Sequence, residues 1–262
     1  MEILYGLHPV EEALRSGSRK FDHVCVAKER HDPRLRSVID ACRESGVRVR
    51  TESRDELTRL AKTAGHQGVV AIVRARDFLE LEDLFDGSEP RLLLALDGIE
   101  DPQNLGALLR TADASGVDGV VLTERRAAPL SAVAVKASAG AAEHVRIARV
   151  VNLVRALEQL KERNIWCVGL DERGALSYDE YDFTSNTVIV LGREGDGLHD
   201  LVRRSCDHLL RIPMAGRVSS LNVSAAGAVV MFEAARQRRL IRGAETVLAE
   251  KAPRKERKGL GS

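Results

Sequence analysis

Aromatic side chains make up only 3% of this 262-residue chain. A surface of exposed stacking platforms, the kind that single-strand nucleic-acid readers use, is therefore not what the composition describes. Cysteine is as sparse. Cys25, Cys42, Cys167 and Cys206 stand far apart with no C-x-x-C pair, which leaves neither a zinc site nor a disulfide framework and reads as buried thiols in a reducing cytoplasm. Net charge is nearly absent too: 40 Lys and Arg against 39 Asp and Glu leave +1, so any basic surface is local. No apolar run approaches the ~20 residues of a membrane-spanning helix. The opening residues Met1 to Gly6 carry neither a basic n-region nor an apolar h-region. The expectation is a cytoplasmic chain without a membrane partner or a metal.

What is present is a soluble composition, 44% hydrophobic and 30% charged, and a length that suits two domains. Periodicity predicts a helix over 9–15, a strand over 21–27, a helix over 33–44, a strand over 47–51, a helix over 55–62 and a strand over 69–74. This first unit, residues 1–76, is a small α/β domain with fourteen basic residues against eleven acidic ones over positions 1–75. Residues 77–90 are acidic and end in turn formers, as a linker or short helix would. From there, near-continuous apolar strands are expected at 92–96, 119–122, 145–148, 165–170, 187–191 and 208–212. They alternate with helices, the last running from about 221 to 238. That pattern means a parallel sheet covered on both faces over residues 91–240. Residues 241–262 form a basic tail. Its Lys251–Lys258 stretch holds five basic residues and one acid, and reads as a solvated disordered segment or a non-specific contact to phosphate.

Ligands of parallel sheets bind beyond the carboxyl ends of strands, and three such segments stand out. In the first, Asp97 to Asp113, Asp101-Pro102 is a helix start. Asn104 lies just inside it, and Gly106 stands four residues before Arg110 on one helical face, a notch through which a substrate backbone could approach. In the second, Leu191-Gly192-Arg193-Glu194-Gly195-Asp196-Gly197, glycines free the backbone to aim peptide N–H groups at one ligand. The G-x-x-G-x-G spacing is neither the dinucleotide fingerprint nor a P-loop. In the third, Ile212-Pro213-Met214 to Ser224, Ser220 suits a helix N-cap with Asn222 in the first turn, ahead of a run of small residues that suggests a helix buried on most sides.

Together the segments resemble the signature motifs of the SpoU/TrmH family, the ribose-methylating branch of the SPOUT superfamily. The matching residues are Asn104 and Arg110, Gly192 with Glu194, and Pro213-Met214 with Ser220-Leu221-Asn222-Val223-Ser224. The stretch Tyr5 to Leu14 and His66-Gln67-Gly68 resemble the L30e-like RNA-binding domain of the subgroup that methylates a guanosine of large-subunit (23S) ribosomal RNA. The resemblance implies a C-terminal deep trefoil knot, a homodimer, and S-adenosylmethionine bound by Leu191, Gly192, Glu194, Gly195, Ile212, Met214, Ser220 and Leu221. It implies transfer of a methyl group to a ribose 2′-hydroxyl, with Arg110 at the reacting ribose and Asn104, Glu194, Ser220 and Asn222 fixing geometry. The base role often proposed for such an arginine is awkward at a pKa above ~12, and electrostatic stabilisation suits it better. Arg193 stands where a small residue is expected, available to RNA or to the acidic linker. Transfer RNA or another ribosomal site as substrate, and a non-catalytic RNA-binding protein, are the competing expectations.

Overall fold

The computed structural model describes residues 1–30, 32–85, 91–124 and 127–251, the last ten as helix backbone alone. Four strands form the first sheet: β1 (Glu2–Tyr5), β2 (Phe21–Ala27), β3 (Val49–Glu52) and β4 (Val69–Val73), in the order β1-β4-β2-β3. β4 is antiparallel to β1 and β2, and β3 is parallel to β2. Helices α1 (Leu7–Ser16), α2 (Pro33–Glu44) and α3 (Arg54–Ala61) connect them. Leu7, Val10 and Leu14 recur at helical spacing and are buried. The Asp32 carboxylate caps α2 at the N–H groups of Arg34 and Leu35, with Pro33 at the first helical position.

One element is new here and one expectation shifts, each for a local reason. β1 was not legible, because four residues ahead of a glycine carry too short a pattern. β3 begins two residues late because the Val47 N–H donates to the Cys42 carbonyl and closes the end of α2. His66 is fully buried. Its Nδ1 accepts the Gly68 N–H at 3.0 Å and its Nε2 lies 3.2 Å from the Thr58 hydroxyl. The His66-Gln67-Gly68 turn is thus fixed from inside, and burial holds the imidazole pKa below its usual value.

The second sheet has seven strands in the order β7-β6-β5-β10-β8-β11-β9, every pairing parallel. The strands are β5 (Leu92–Asp97), β6 (Gly119–Thr123), β7 (Ile147–Val150), β8 (Trp166–Leu170), β9 (Leu176–Ser177), β10 (Thr187–Gly192) and β11 (His208–Arg211). Leu92, Leu94 and Leu96 join a core with α4 (Pro102–Ser115) and α8 (Val223–Lys251), while Leu93 and Ala95 pack with α6 (Leu153–Glu162). Alternate residues of one strand therefore serve opposite helical layers, as the apolar strands predicted. α5 (Ala132–Ala137) lies against α4, and α7 (Asp200–Arg204) against α6. β7 starts at Ile147, not at Val145, because the Val145 N–H bonds back to Ala141 in a helical turn. α8 continues to Lys251, past both the expected end near Arg238 and the expected tail boundary at 241. Residues 252–262 lie outside the described ones.

Residues 77–85 are docked, not free. Leu79 exchanges backbone hydrogen bonds with Ile147 and Arg149 along β7. Leu81 and Leu84 are buried, and a Cβ on Gly119 would stand 2.8 Å from Leu84 Cδ2. The Arg149 guanidinium lies 3.6 Å from the Phe78 ring centre. Residues 86–90 of the expected linker fall outside the described ones.

The two sheets share one apolar core, and a buried ionic contact pins them together. Arg19, its side chain 1% exposed, donates to Glu143 at 2.9 and 3.2 Å and to Glu2 at 2.8 Å. Glu143, 0% exposed, also accepts from Ser18. Arg76 donates to the Ala142 and Val145 carbonyls. Burial disfavours the Arg19 charge, but Glu143 and Glu2 outweigh it and hold the pKa above its usual value. Trp166, the chain's single tryptophan, opens β8 at the amino end of the sheet, half-exposed beside the His208 ring.

Removing Glu143 leaves the buried Arg19 charge with only the partly exposed Glu2 as its partner. Glu143→Leu is expected to lose about 3–5 kcal/mol of unfolding free energy in urea. Adding Arg19→Met should recover most of it. A double variant no more stable than Glu143→Leu would show that the pair is not coupled in this way.

Candidate functional site

The sheet order reverses between β5 and β10, which run in register from Leu92 beside Thr187 to Asp97 beside Gly192. Such a switch point opens a crevice at the carboxyl ends of the strands. Next to it, beyond β8, β10 and β11, lies a pocket walled by Leu170 to Arg173, Leu191 to Gly197, Ile212, Met214, Ser219 to Leu221, Val223 and Ala226. The second and third sequence segments meet here, and all eight residues expected at a cofactor line it: Leu191, Gly192, Glu194, Gly195, Ile212, Met214, Ser220 and Leu221.

The glycines of the β10 loop have different reasons to be there. A Cβ on Gly192 would stand 2.2 Å from the Gly197 carbonyl carbon, so the strand end must be bare for the loop to fold back on it. Arg193 and Gly197 then exchange backbone hydrogen bonds at 3.2 and 3.1 Å. Gly195 and Gly197 open onto free space but have φ of +83° and +69°, the left-handed region expected for this loop. Arg193 bonds Asp196 across the turn at 2.7 Å and has no ion pair with the acidic linker among the described residues.

One hydrogen-bonded chain ties the three segments together. Asn104, buried in the first turn of α4, donates its amide to Glu194 and accepts from the Asn222 amide at 3.1 Å. Asn222 Oδ1 in turn accepts from the Ser224 N–H and hydroxyl at 2.9 and 2.6 Å. Asn222 is therefore the residue that caps α8, which starts at Val223, and Ser220 is an exposed pocket-wall residue and not the cap.

Two further expectations are corrected. The Gly106 notch is filled: a Cβ there would stand 2.4 Å from Ala137 Cβ and 2.5 Å from the Ala134 carbonyl, so the glycine admits α5 and no substrate. The helix after Asn222 is buried on one side only, through Gly227, Val230, Met231 and Ala234, and it exposes Phe232, Leu240 and Ile241. Gly227 lets α8 close on Leu108 of α4 and Leu191 of β10.

Arg110 is not in the pocket. It is exposed, six residues along α4 from Asn104, roughly 9 Å up the axis and turned to another face. It has no hydrogen bond or ion pair among the described residues. Asn104, Glu194 and Asn222 are joined by hydrogen bonds, Ser220 shares the pocket wall with Glu194, and Arg110 of the same chain stands apart.

Sequence reasoning missed the wall after β8, although the search beyond strand ends would have reached Asp171-Glu172-Arg173 had it been applied to β8. Asp171 is buried and bonded to the Arg173 guanidinium at 3.1 and 3.2 Å. Burial works against its charge, but Arg173 prevails and holds the carboxyl below the usual range. It also missed Asp97, buried at the end of β5, which accepts from the His199 N–H at 2.7 Å and lies 3.0 Å from its Nδ1. That bond fastens the far end of the β10 loop. The cysteines offer no nucleophile: burial pushes Cys167 and Cys206 up to about 12 and Cys42 up to about 11.

Residues 91–232 match the model of the SpoU rRNA methylase family, and residues 3–79 match that for RNA 2′-O ribose methyltransferase substrate binding. The chain is 45% identical over 242 residues to the 23S rRNA (guanosine-2′-O-)-methyltransferase RlmB of Vibrio cholerae, covering 90% of this chain and 97% of that one. Among solved structures it resembles the SpoU methyltransferase AviRb from Streptomyces viridochromogenes in complex with AdoMet. That match has a TM-score of 0.78 and 27% identity over 91% and 90% of the two chains. It also resembles the A. aeolicus TrmH/SpoU tRNA modifying enzyme, with a TM-score of 0.54 and 29% identity over 63% of this chain and 84% of that one.

The glycines give a graded test. Gly192→Ala forces backbone apart and is expected to cost more than about 3 kcal/mol of stability, whereas Gly195→Ala meets only the positive-φ penalty of about 1–2 kcal/mol. Equal urea midpoints for the two variants would contradict this account of the loop.

Proposed function

The chain belongs to the SpoU rRNA methylase family, and on that premise we propose that it transfers a methyl group from S-adenosylmethionine to the ribose 2′-hydroxyl of a guanosine in 23S ribosomal RNA. The observation that carries the reading is the meeting of the second and third motif segments in one pocket, to which the Glu194–Asn104–Asn222 chain ties the first. The pocket suits that cofactor by its chemistry. Leu191, Ile212, Leu221 and Val223 offer apolar walls, and the peptide N–H groups of Gly195, Met214 and Leu221 make no backbone hydrogen bond among the described residues. Residues Leu191, Gly192, Glu194, Gly195, Ile212, Met214, Ser220 and Leu221 would hold it.

S-adenosylmethionine supplies a methyl group on a sulfonium, a leaving group that needs no help from the protein. The protein's share is to align the 2′-oxygen with that methyl and to ease loss of the hydroxyl proton. Asn104, Glu194, Ser220 and Asn222 fix the geometry. Arg110 stabilises the developing oxyanion and the adjacent phosphate. Because Arg110 stands apart from its own chain's pocket, it serves the pocket of a second copy in a homodimer. The exposed apolar Val218, Leu221, Phe232, Leu240 and Ile241 beside the pocket and along α8 supply a surface for such a pairing. In this reading residues 1–76 are an L30e-like RNA-binding domain that sets the site, the pocket loops form a trefoil knot, and the enzyme works in the cytoplasm. Ribosomal RNA is favoured over transfer RNA because the ribosomal relative matches both units, while the tRNA-modifying structure covers 63% of this chain.

Mapping 2′-O-methyl groups in 23S ribosomal RNA with and without protein and cofactor is expected to show one new protected guanosine. Methylation only of transfer RNA would overturn the substrate. Arg110→Ala is expected to bind S-adenosylmethionine as the wild type does and to lose about a hundredfold or more in turnover. Mixing it with Asn104→Ala should restore activity, since one mixed pocket then has both residues. No recovery in mixed dimers would place Arg110 with its own pocket.

A further inference from the structure

The pocket wall is more acidic than the chain as a whole. Its charged residues are Asp171, Glu172, Glu194 and Asp196 against Arg173 and Arg193, four against two. Both arginines are already neutralised within the wall, Arg173 by Asp171 and Arg193 by Asp196. Two carboxylates remain outside these ion pairs, and Arg173, already bonded to Asp171, feels Glu172 only through space. Glu194 is bonded to the neutral Asn104 amide. Glu172 is exposed at the loop after β8 and has no hydrogen bond or ion pair among the described residues.

A ligand-pocket wall with two carboxylates in excess of its arginines favours a ligand that brings a cation. S-adenosylmethionine has a sulfonium, an ammonium and a carboxylate, one net positive charge. The thioether left after methyl transfer has lost the sulfonium charge and is neutral overall. We propose that Glu172 is a specificity-determining residue that makes the pocket prefer the cationic cofactor over its neutral product, S-adenosylhomocysteine. This rests on the cofactor reading above. The consequence is kinetic as well as selective: attraction is lost when the methyl leaves, so the product is released and competes weakly with fresh cofactor. The pairs at Arg173 and Arg193 add no net charge, so the two remaining carboxylates set the sign of the wall.

Calorimetry on the full-length protein tests it with three ligands: S-adenosylmethionine, S-adenosylhomocysteine, and sinefungin, whose protonated amine replaces the sulfonium charge without a transferable methyl. Glu172→Gln is expected to weaken S-adenosylmethionine and sinefungin about three- to tenfold, as one charge at partly screened range should. S-adenosylhomocysteine should change by less than about twofold. Glu172→Lys should extend the trend, and raising salt from about 50 to about 500 mM should weaken the two cationic ligands selectively in the wild type. Equal losses for all three ligands, or none for any, would overturn the role of Glu172 while leaving the cofactor reading intact. If none of the three binds the wild type, the cofactor reading itself fails.

Discussion

A primary amide offers two N–H donors and a carbonyl acceptor in one plane, and at Asn104 these groups meet side chains from two other parts of the chain. No other side chain of that size could accept from Asn222 and donate to Glu194 at once, since aspartate lacks the donor and leucine lacks both. The geometry of the pocket depends on this. Asn222 is held by Asn104 while it caps α8, so the start of the last helix, the β10 loop and the first turn of α4 are set by one group. Because Asn104 is buried, breaking either bond would leave an unsatisfied polar atom away from water, which is why the arrangement is specific and not one of several.

Backbone packing makes that chain reachable. The β5–β10 pairing puts Asp97 beside Gly192. The bare Gly192 then lets the loop fold back until Gly197 touches the strand end, and Asp97 fastens the loop's exit at His199. On the opposite side, Gly106 draws α5 onto α4, and α5 leads into the turn that contributes Glu143 to Arg19 of the first sheet. Helix α4 is therefore held between the pocket and the first unit by contacts with little slack.

The regular elements were legible because their causes are local. Buried strands such as Leu92–Asp97 announce themselves by unbroken apolar runs, and α2 by Asp32-Pro33 at its start. Of the site, the composition of each loop and the left-handed glycines could be read. What could not be read was anything set by a neighbour in space. Gly106 looked like an open notch because only the fold brings α5 against it. Ser220 looked like a cap because a serine and an asparagine two residues apart are equally suited, and Asn104 decides between them. Arg19 and Glu143, 124 residues apart, carry no signal in either segment that they pair.

The placement of Trp166 governs what light can report about this molecule. Tryptophan occurs once, at the amino end of β8, and is half in water beside His208. The pocket lies past the carboxyl end of the same strand, at the far side of a five-residue span of about 16 Å. Intrinsic fluorescence excited at the indole therefore follows the integrity of the central sheet and remains nearly indifferent to occupancy of the pocket. The protein has in effect a built-in gauge of folding that its own ligand does not disturb.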